Sequence, residues 1–370
     1  MSEAERLLRQ KIEEIAAPDA AQMDAARRRQ ARLAKPPGSL GRLEALSIQL
    51  AGITGRLHNS TENKVLLVFC ADNGVTEEGV ASAPPSVTRA QTENLARGKT
   101  GAAVIARRLG CALRVCNVGV RDEVREVAVI DRVVLRGTAN IARGPAMRRE
   151  DALRALAVGM ELAEETARGG ADVVGVGEMG IGNTTTASAV LAALTGAPVA
   201  DVTGRGGGIT DEAFFHKRAV IETALRVNAP DPLDVTDVLA RVGGLDIAAM
   251  CGAFLGAARA RIPAVIDGFI SAVAALCAVR LCPAARAYLI PSHASFEIGS
   301  RVVMDALGLV PLFDLGMRLG EGSGCPIAMA MLDAACAVLN DMATFDEAEI
   351  DDGYLAPIRR TDAFTVRRDT

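Results

Sequence analysis

Tryptophan is absent from the 370 residues and tyrosine occurs only twice. With so few large π-faces, nucleic-acid binding by base stacking is poorly supported. An excess of basic charge is missing too. Lys and Arg number 41 against 45 Asp and Glu, a net charge of −4, which argues against a polyanionic partner. The three histidines (His58, His216, His293) are scattered, and the eight cysteines form no C-x-x-C pair, so the ligand spacing of a zinc site is lacking. Most of the cysteines sit in apolar runs, as buried thiols of a reducing compartment do. The opening M-S-E-A-E-R-L-L-R-Q is charged from the start and has no apolar region of a signal peptide. The longest apolar stretches are broken by Arg, Asp or Pro, which excludes a transmembrane span. The expectation is a cytoplasmic protein with small-molecule chemistry, no nucleic-acid or membrane partner, no metal and no cofactor.

What is present is apolar. Half the residues are hydrophobic, enough for one large α/β domain or for a core domain with a smaller partner. The run V-L-L-V-F-C at 65–70 predicts a buried strand. Further strands are expected at 113–118, 132–135, 173–176, 264–266, 287–290 and 310–313. Helical patterns are expected at 88–109, 150–168, 184–195, 211–226, 245–260, 269–280, 294–307 and 323–340. This alternation predicts an α/β fold with a mostly parallel sheet covered on both faces by helices. Sites then belong in the loops that follow the strands. Residues 3–58 read as helices interrupted by the rigid loop K-P-P-G-S-L-G at 35–41. The Asp- and Arg-rich stretch 343–370 reads as a surface arm.

One stretch organises the chain: G-V-G-E-M-G-I-G-N-T-T-T, at 175–186. Four glycines fall between 175 and 182. Asn183, Thr184 and Thr185 then offer N-cap oxygens to an Ala-rich helix. A strand, a glycine loop and a polar helix start present free N–H groups to an anion. A tight turn without a ligand has the same pattern. Glu178 within the loop would repel a phosphate held beside it, so it suits another part of a ligand. A second glycine loop, T-G-R-G-G-G-I-T-D-E at 203–212, leads to Lys217, which is either a point charge for a phosphate or a solvated surface group. Asp72, after the strand at 65–70, reads as a crevice residue or as a turn-forming Asx. His293 reads as a base or, lacking a Ser/Asp constellation, as a structural histidine. In L-G-E-G-S-G at 319–324, Glu321 is either an acidic helix start or a desolvated general base with a raised pKa.

Together these segments resemble the nicotinate-nucleotide–dimethylbenzimidazole phosphoribosyltransferase family, which makes the lower nucleotide of cobamides. The blocks are K-P-P-G-S-L-G, A-D-N-G-V-T-E-E-G-V (71–80), G-E-M-G-I-G-N-T-T (177–185), T-G-R-G (203–206), G-G-L-D-I-A-A-M-C-G (243–252), I-D-G-F-I (266–270), S-H-A-S-F-E (292–297) and L-G-E-G-S-G. They run in order through almost the whole chain. The resemblance implies Rossmann-like helices around the sheet, a core at 60–342, and a small helical domain built from 1–59 and completed by the tail 343–370. It also implies a homodimer. The implied reaction moves 5-phosphoribosyl from nicotinate mononucleotide to dimethylbenzimidazole or a related base. Glu321 is the implied general base. Gly180, Gly182, Asn183, Thr184, Gly204, Gly206 and Lys217 are implied at the nucleotide phosphate, Glu178 and Ser292 near the nicotinate and ribose, Gly320 among the substrate-binding residues, and Asp72, Ser82 and Pro85 around the base. Two other functions remain open: a same-fold enzyme using adenine or a phenolic acceptor, and a non-catalytic nucleotide-binding protein. In one place the chain departs from the family's P-Q-x-V-T pattern. Pro85 stands where that pattern has Gln, and it offers neither a side-chain hydrogen bond nor a backbone N–H. The expectation is a broader range of accepted bases, narrowed by Pro85→Gln.

Overall fold

The computed structural model describes residues 3–356. In chain order its elements are α1 (Glu3–Glu13), α2 (Ala20–Arg32), α3 (Arg42–Thr54), β1 (Lys64–Ala71), α4 (Ser86–Ala96), α5 (Gly101–Arg108), β2 (Cys111–Gly119), β3 (Ile130–Asp131), α6 (Arg149–Arg168), β4 (Val173–Met179), α7 (Asn183–Thr195), α8 (Val199–Val202), α9 (Asp211–Asn228), α10 (Val235–Val242), α11 (Leu245–Arg259), β5 (Ala264–Ile266), α12 (Phe269–Leu281), β6 (Leu289–Pro291), α13 (Gly299–Leu307) and α14 (Cys325–Asp341). The six strands form one sheet in the order β3-β2-β1-β4-β5-β6, and every pair is parallel. All seven residues of β4 are buried. A continuous apolar run without alternation is what a strand covered on both faces requires. The order reverses between β1 and β4, and at such a switch point a crevice opens beyond the carboxyl ends of the strands.

Several expected elements are corrected. The helix expected over 88–109 is two helices, because Gly98 turns left-handed at φ +71° and Thr100 caps a new start by accepting from Ala103 N. The strand expected at 132–135 is the short β3, two residues earlier. No strand forms over 310–313, where Pro311 has no N–H to give a ladder; only a bridge from His293 to Phe313 remains. Helix α13 starts at Gly299, not at 294. In the expected surface arm, Phe345 and Leu355 are buried, and the rest of it, 357–370, lies outside the described residues.

The chain divides into two compact units. The larger takes the chain up to Ala16 together with Asn63–Ala328, and holds the sheet. Within it α1 is tied down by Glu5 to Arg149 at 2.7 Å and by Glu14 to Arg259 at 2.6 Å. The smaller takes Ala17–Glu62 together with the chain from Met329 onward. Its apolar centre includes Ala26, Ala51 and Leu339, with Ile48 and Leu57 packed against them. There the Arg29 guanidinium donates to the carbonyls of Leu339 and Asn340 at the end of α14. All eight cysteines are buried, and among the described residues no helix is long and apolar enough to cross a membrane.

Helices α6 and α11 pack with their backbones nearly touching. A Cβ on Gly159 would meet the Ala249 carbonyl, and one on Gly252 would meet the Leu156 carbonyl. Small residues at this crossing let α11 lie close against α6. Two effects therefore oppose each other in Gly252→Ala. Alanine favours the helix by roughly 1 kcal/mol, whereas an extra methyl in a filled contact costs roughly 1–3 kcal/mol. Backbone atoms cannot move aside as a side chain can, so the second effect is expected to win. A lower urea midpoint for Gly252→Ala is the expected result; a higher one would show that the crossing has slack.

Candidate active site

A cleft of about 270 Å³ opens at the carboxyl end of the sheet. Its walls come from the loops after β1 (80–91), β4 (178–184), β5 (267–271) and β6 (293–297), together with 205–209 and 318–321. The loops after β1 and β4 flank the point where the strand order reverses.

Strand β4 delivers Glu178 into this cleft. The side chain is 6% exposed, and Asn183 Nδ2 donates to its Oε2. The same amide donates to Asp246 Oδ2 at 3.1 Å. Two buried carboxylates thus share one amide group. Burial raises the Glu178 pKa to about 8, and the negative neighbours, Asp246 first, push the same way. Burial raises Asp246 to about 6. Taking a carboxylate out of water favours its neutral form, and so does a second carboxylate nearby.

Glu321 enters from the turn before α14. It is 5% exposed. Its Oε2 accepts from Ala102 N at 3.2 Å and its Oε1 from Gln91 Nε2 at 3.4 Å. Its φ is +61°, between Gly320 at +82° and Gly322 at +83°. A left-handed backbone costs a non-glycine residue roughly 1–2 kcal/mol, so the surroundings hold this turn. The turn lies on β4: a Cβ on Gly177 would come within 2.5 Å of Gly322 Cα. Asp267, just beyond β5, accepts from Gly322 N at 3.1 Å and Gly324 N at 2.7 Å. Burial raises its pKa, opposed first by His293 and then by those backbone N–H groups.

Helix α7 points its N-terminus at the cleft. The expected capping by Asn183, Thr184 or Thr185 side chains does not form. Gly182 is the N-cap and has no side chain to make a cap bond, and Asn183 is already the first helical residue; its amide donates to Glu178 and Asp246. Behind this helix start, Lys217 is 1% exposed. Its Nζ donates to Thr184 Oγ1 at 2.8 Å and to the Gly204 carbonyl at 3.2 Å. Burial lowers its pKa to about 8, and the nearby Glu297 works against that shift. The solvated alternative for Lys217 is thereby excluded.

Of the residues singled out in the sequence, Ser82, Glu178, Gly180, Gly182, Asn183, Thr184, Gly206, Gly320 and Glu321 line the cleft. Five do not. Lys217 and Gly204 stand behind the lining, where Gly204 leaves room for the Glu297 carboxylate. Ser292 is fully buried and donates to the Asp267 carbonyl at 2.9 Å. Asp72 accepts from Arg121 N at 2.8 Å, bracing the ends of β1 and β2 through a bond between distant segments. Pro85 is exposed at the start of α4, so the expectation that it walls the base is corrected. Helical geometry turns Gln91 toward the cleft instead, one and a half turns further along α4. His293 lines the cleft and stacks on Phe313 with ring centroids 5.9 Å apart.

Sequence reasoning missed Gln91, Asp246, Asp267 and Glu297. One signal was present for Asp267: like Glu178, it is a carboxylate at the carboxyl end of an apolar strand. Asp246 looked like an ordinary acidic first-turn residue of α11. Glu297 closes the S-H-A-S-F-E block without having been singled out, and Gln91 had no local signal, since it gains its neighbours only through the fold.

Comparison with known proteins gives consistent results. A family profile described as phosphoribosyltransferase matches residues 15–350. A nicotinate-nucleotide–dimethylbenzimidazole phosphoribosyltransferase of Clostridium perfringens is 49% identical over 90% of this chain and 92% of its own length. One from Geobacter sulfurreducens is 47% identical over 94% of this chain and 99% of its own. A solved structure of the Thermus thermophilus protein so described superposes with a TM-score of 0.85 at 40% identity, covering 90% of this chain and all of that one.

The shared amide makes a pH prediction. The Glu178 pKa is raised in the folded state, from the ordinary 4.5 to about 8. The folded protein therefore binds this proton more tightly than the unfolded chain does. The resulting stability is complete below pH 4.5 and is lost as pH rises toward 8, by up to about 1.4 kcal/mol per pH unit. Glu178→Gln removes the titration and keeps an acceptor for Asn183. The stability difference between variant and wild type should move in the variant's favour from pH 6 to pH 8. Equal differences at the two pH values would show that Glu178 does not titrate in this window.

Proposed function

The chain belongs to the nicotinate-nucleotide–dimethylbenzimidazole phosphoribosyltransferase family, and we propose that its cleft moves 5-phosphoribosyl from nicotinate mononucleotide to dimethylbenzimidazole or a related base. The products are nicotinate and the α-ribazole phosphate used in cobalamin synthesis. The observation that carries this reading is Glu321: a buried carboxylate, held in a left-handed turn, faces the same cleft as the N-terminus of α7.

The chemistry balances with the two substrates and that carboxylate. Nicotinate is joined to ribose through a pyridinium nitrogen. When the bond breaks, its electron pair returns to the ring, and nicotinate leaves without needing a proton. The lone pair of one imidazole nitrogen forms the new bond to the same ribose carbon. The base is then cationic and must lose the proton on its other nitrogen. Glu321 accepts it. Replacing a β-bond by an α-bond requires attack from the opposite face, so holding both substrates in line supplies much of the rate. The phosphate finds N–H groups at the start of α7, with the Lys217 charge behind Thr184. Gln91, which donates to Glu321, is the polar group next to the incoming base, and Ser82 stands on the same wall.

We also propose that the protein acts as a homodimer in the cytoplasm. Phe296, Ile298, Leu315 and Leu319 are all more than half exposed. The Phe296 N–H donates to the Met317 carbonyl at 3.0 Å, which brings these two apolar segments together beside the cleft. Exposed apolar surface of this kind supports association.

The direct test is incubation with nicotinate mononucleotide and a panel of dimethylbenzimidazole, benzimidazole, adenine and phenol, with mass detection of products. A ribosylated benzimidazole is expected. Product from adenine or phenol alone would replace the acceptor. Glu321→Gln should retain nucleotide binding and lose roughly 10²–10⁴-fold in turnover; turnover within a few-fold of wild type would remove Glu321 from the role. Lys217→Ala should weaken nicotinate mononucleotide by roughly tenfold, the scale of one charge-assisted hydrogen bond, and leave the base affinity alone. An unchanged nucleotide affinity would leave Lys217 with a packing role only.

A further inference from the structure

The turn that carries Glu321 has three consecutive left-handed residues, and two of them are glycines with little preference of their own. Nothing in the local sequence selects this conformation. A hold from outside the turn is needed, and the side-chain hydrogen bonds on its backbone N–H groups lead to one residue.

Asp267 holds the turn from both sides of its carboxylate. Oδ2 accepts from Gly322 N at 3.1 Å and Oδ1 from Gly324 N at 2.7 Å. Its own backbone is fixed as firmly. Asp267 N donates to Ser271 Oγ at 3.2 Å, and that hydroxyl donates to the Val176 carbonyl of β4 at 2.7 Å. The Asp267 carbonyl accepts from Ser292 Oγ at 2.9 Å. A chain of hydrogen bonds thus runs from the middle of the central sheet, through Asp267, to the peptide that follows Glu321. Asp267 is itself 2% exposed.

We propose that Asp267 is a positioning residue for Glu321, clamping Gly322 N and Gly324 N so that the Glu321 carboxylate is presented to the cleft. The inference rests on the reading of Glu321 as the general base. It also gives Ser292 a function: the hydroxyl fixes the backbone of the clamp from behind. A carboxylate suits this place because both of its oxygens accept. Asparagine keeps one acceptor and sets an amide N–H against a backbone N–H, which opens one side of the clamp.

The test is a double-mutant cycle on the full-length protein, with kcat and the KM for nicotinate mononucleotide measured for wild type, Asp267→Asn, Glu321→Gln and the pair. Asp267→Asn should lower kcat by roughly 10- to 100-fold, a part of the general-base effect, with KM within about threefold. In the Glu321→Gln background the Asp267 substitution should cost nothing more, because residues that act as one unit are non-additive. Effects that multiply would mean that Asp267 acts elsewhere, and the proposal falls. If Asp267→Asn does not fold, as judged by its thermal transition, Asp267→Ser takes its place in the same cycle, keeping an oxygen and removing the amide clash. If neither folds, Asp267 is needed for folding and the positioning proposal is overturned. Undiminished turnover in Glu321→Gln alone would remove the premise as well, and the two failures are told apart by that single variant.

Discussion

The contact between two bare stretches of backbone governs this site. Gly177 lies in the middle of the central strand with no side chain, and the Gly320–Gly322 turn rests against it. A methyl group at position 177 would push the turn off the sheet. Because the strand is flat there, Glu321 can stand close to Glu178 at the end of the same strand, and Asp267 can reach the turn from the neighbouring strand. The rest of the site is arranged around that approach. Gly324 passes beside His293, and Gly320 beside the Glu178 carboxylate. Small residues therefore do two jobs in one region: they let a turn be left-handed, and they let it sit low.

The electrostatics follow from the same crowding. Glu178, Asp246, Asp267 and Glu321 gather at one end of the cleft, and burial pushes the first three toward their neutral forms. The start of α7 adjoins them, because Asn183 donates to both Glu178 and Asp246, and behind it lies the ammonium of Lys217, whose own charge burial opposes. In the proposed reaction, positive charge is present on the departing pyridinium and then on the incoming ring, whereas the phosphate is negative throughout. Acidic groups in the cleft and a cationic group behind it fit a substrate that carries both charges. The raised pKa values of Glu178 and Asp246, and the Asn183 amide that donates to both, lessen the repulsion between these two carboxylates.

Most of the sheet could be read in the chain because buried parallel strands are continuous apolar runs, as in V-L-L-V-F-C. The errors fell where local pattern and context disagree. One apolar run, 310–313, contained a proline that removed a ladder N–H. One apparent long helix was split by Gly98, whose break depends on a left-handed turn that a glycine permits but does not announce. The asparagine and threonines at 183–185 looked like caps, yet the helix begins one residue earlier, with Gly182 as its cap, and the Asn183 amide donates to Glu178 and Asp246. Pro85 drew attention as a departure from a motif, but position 85 faces solvent and Gln91 faces the cleft, a matter of helical phase.

By itself the sequence determined the α/β class, the ordered motifs that carry the family membership, and the presence of glycine-flanked carboxylates after strands. These follow from periodicity and from residue types whose backbone freedom or charge is intrinsic. Only the tertiary structure decided which carboxylates meet, that Lys217 is buried behind Thr184, that Ser292 and Asp72 brace the scaffold instead of lining the cleft, and that Asp267 holds the turn of Glu321. Those outcomes depend on strand order and on side-chain direction at positions far apart in the chain. A residue's own neighbours in sequence carry no information about which distant amide or carboxylate will stand about 3 Å away.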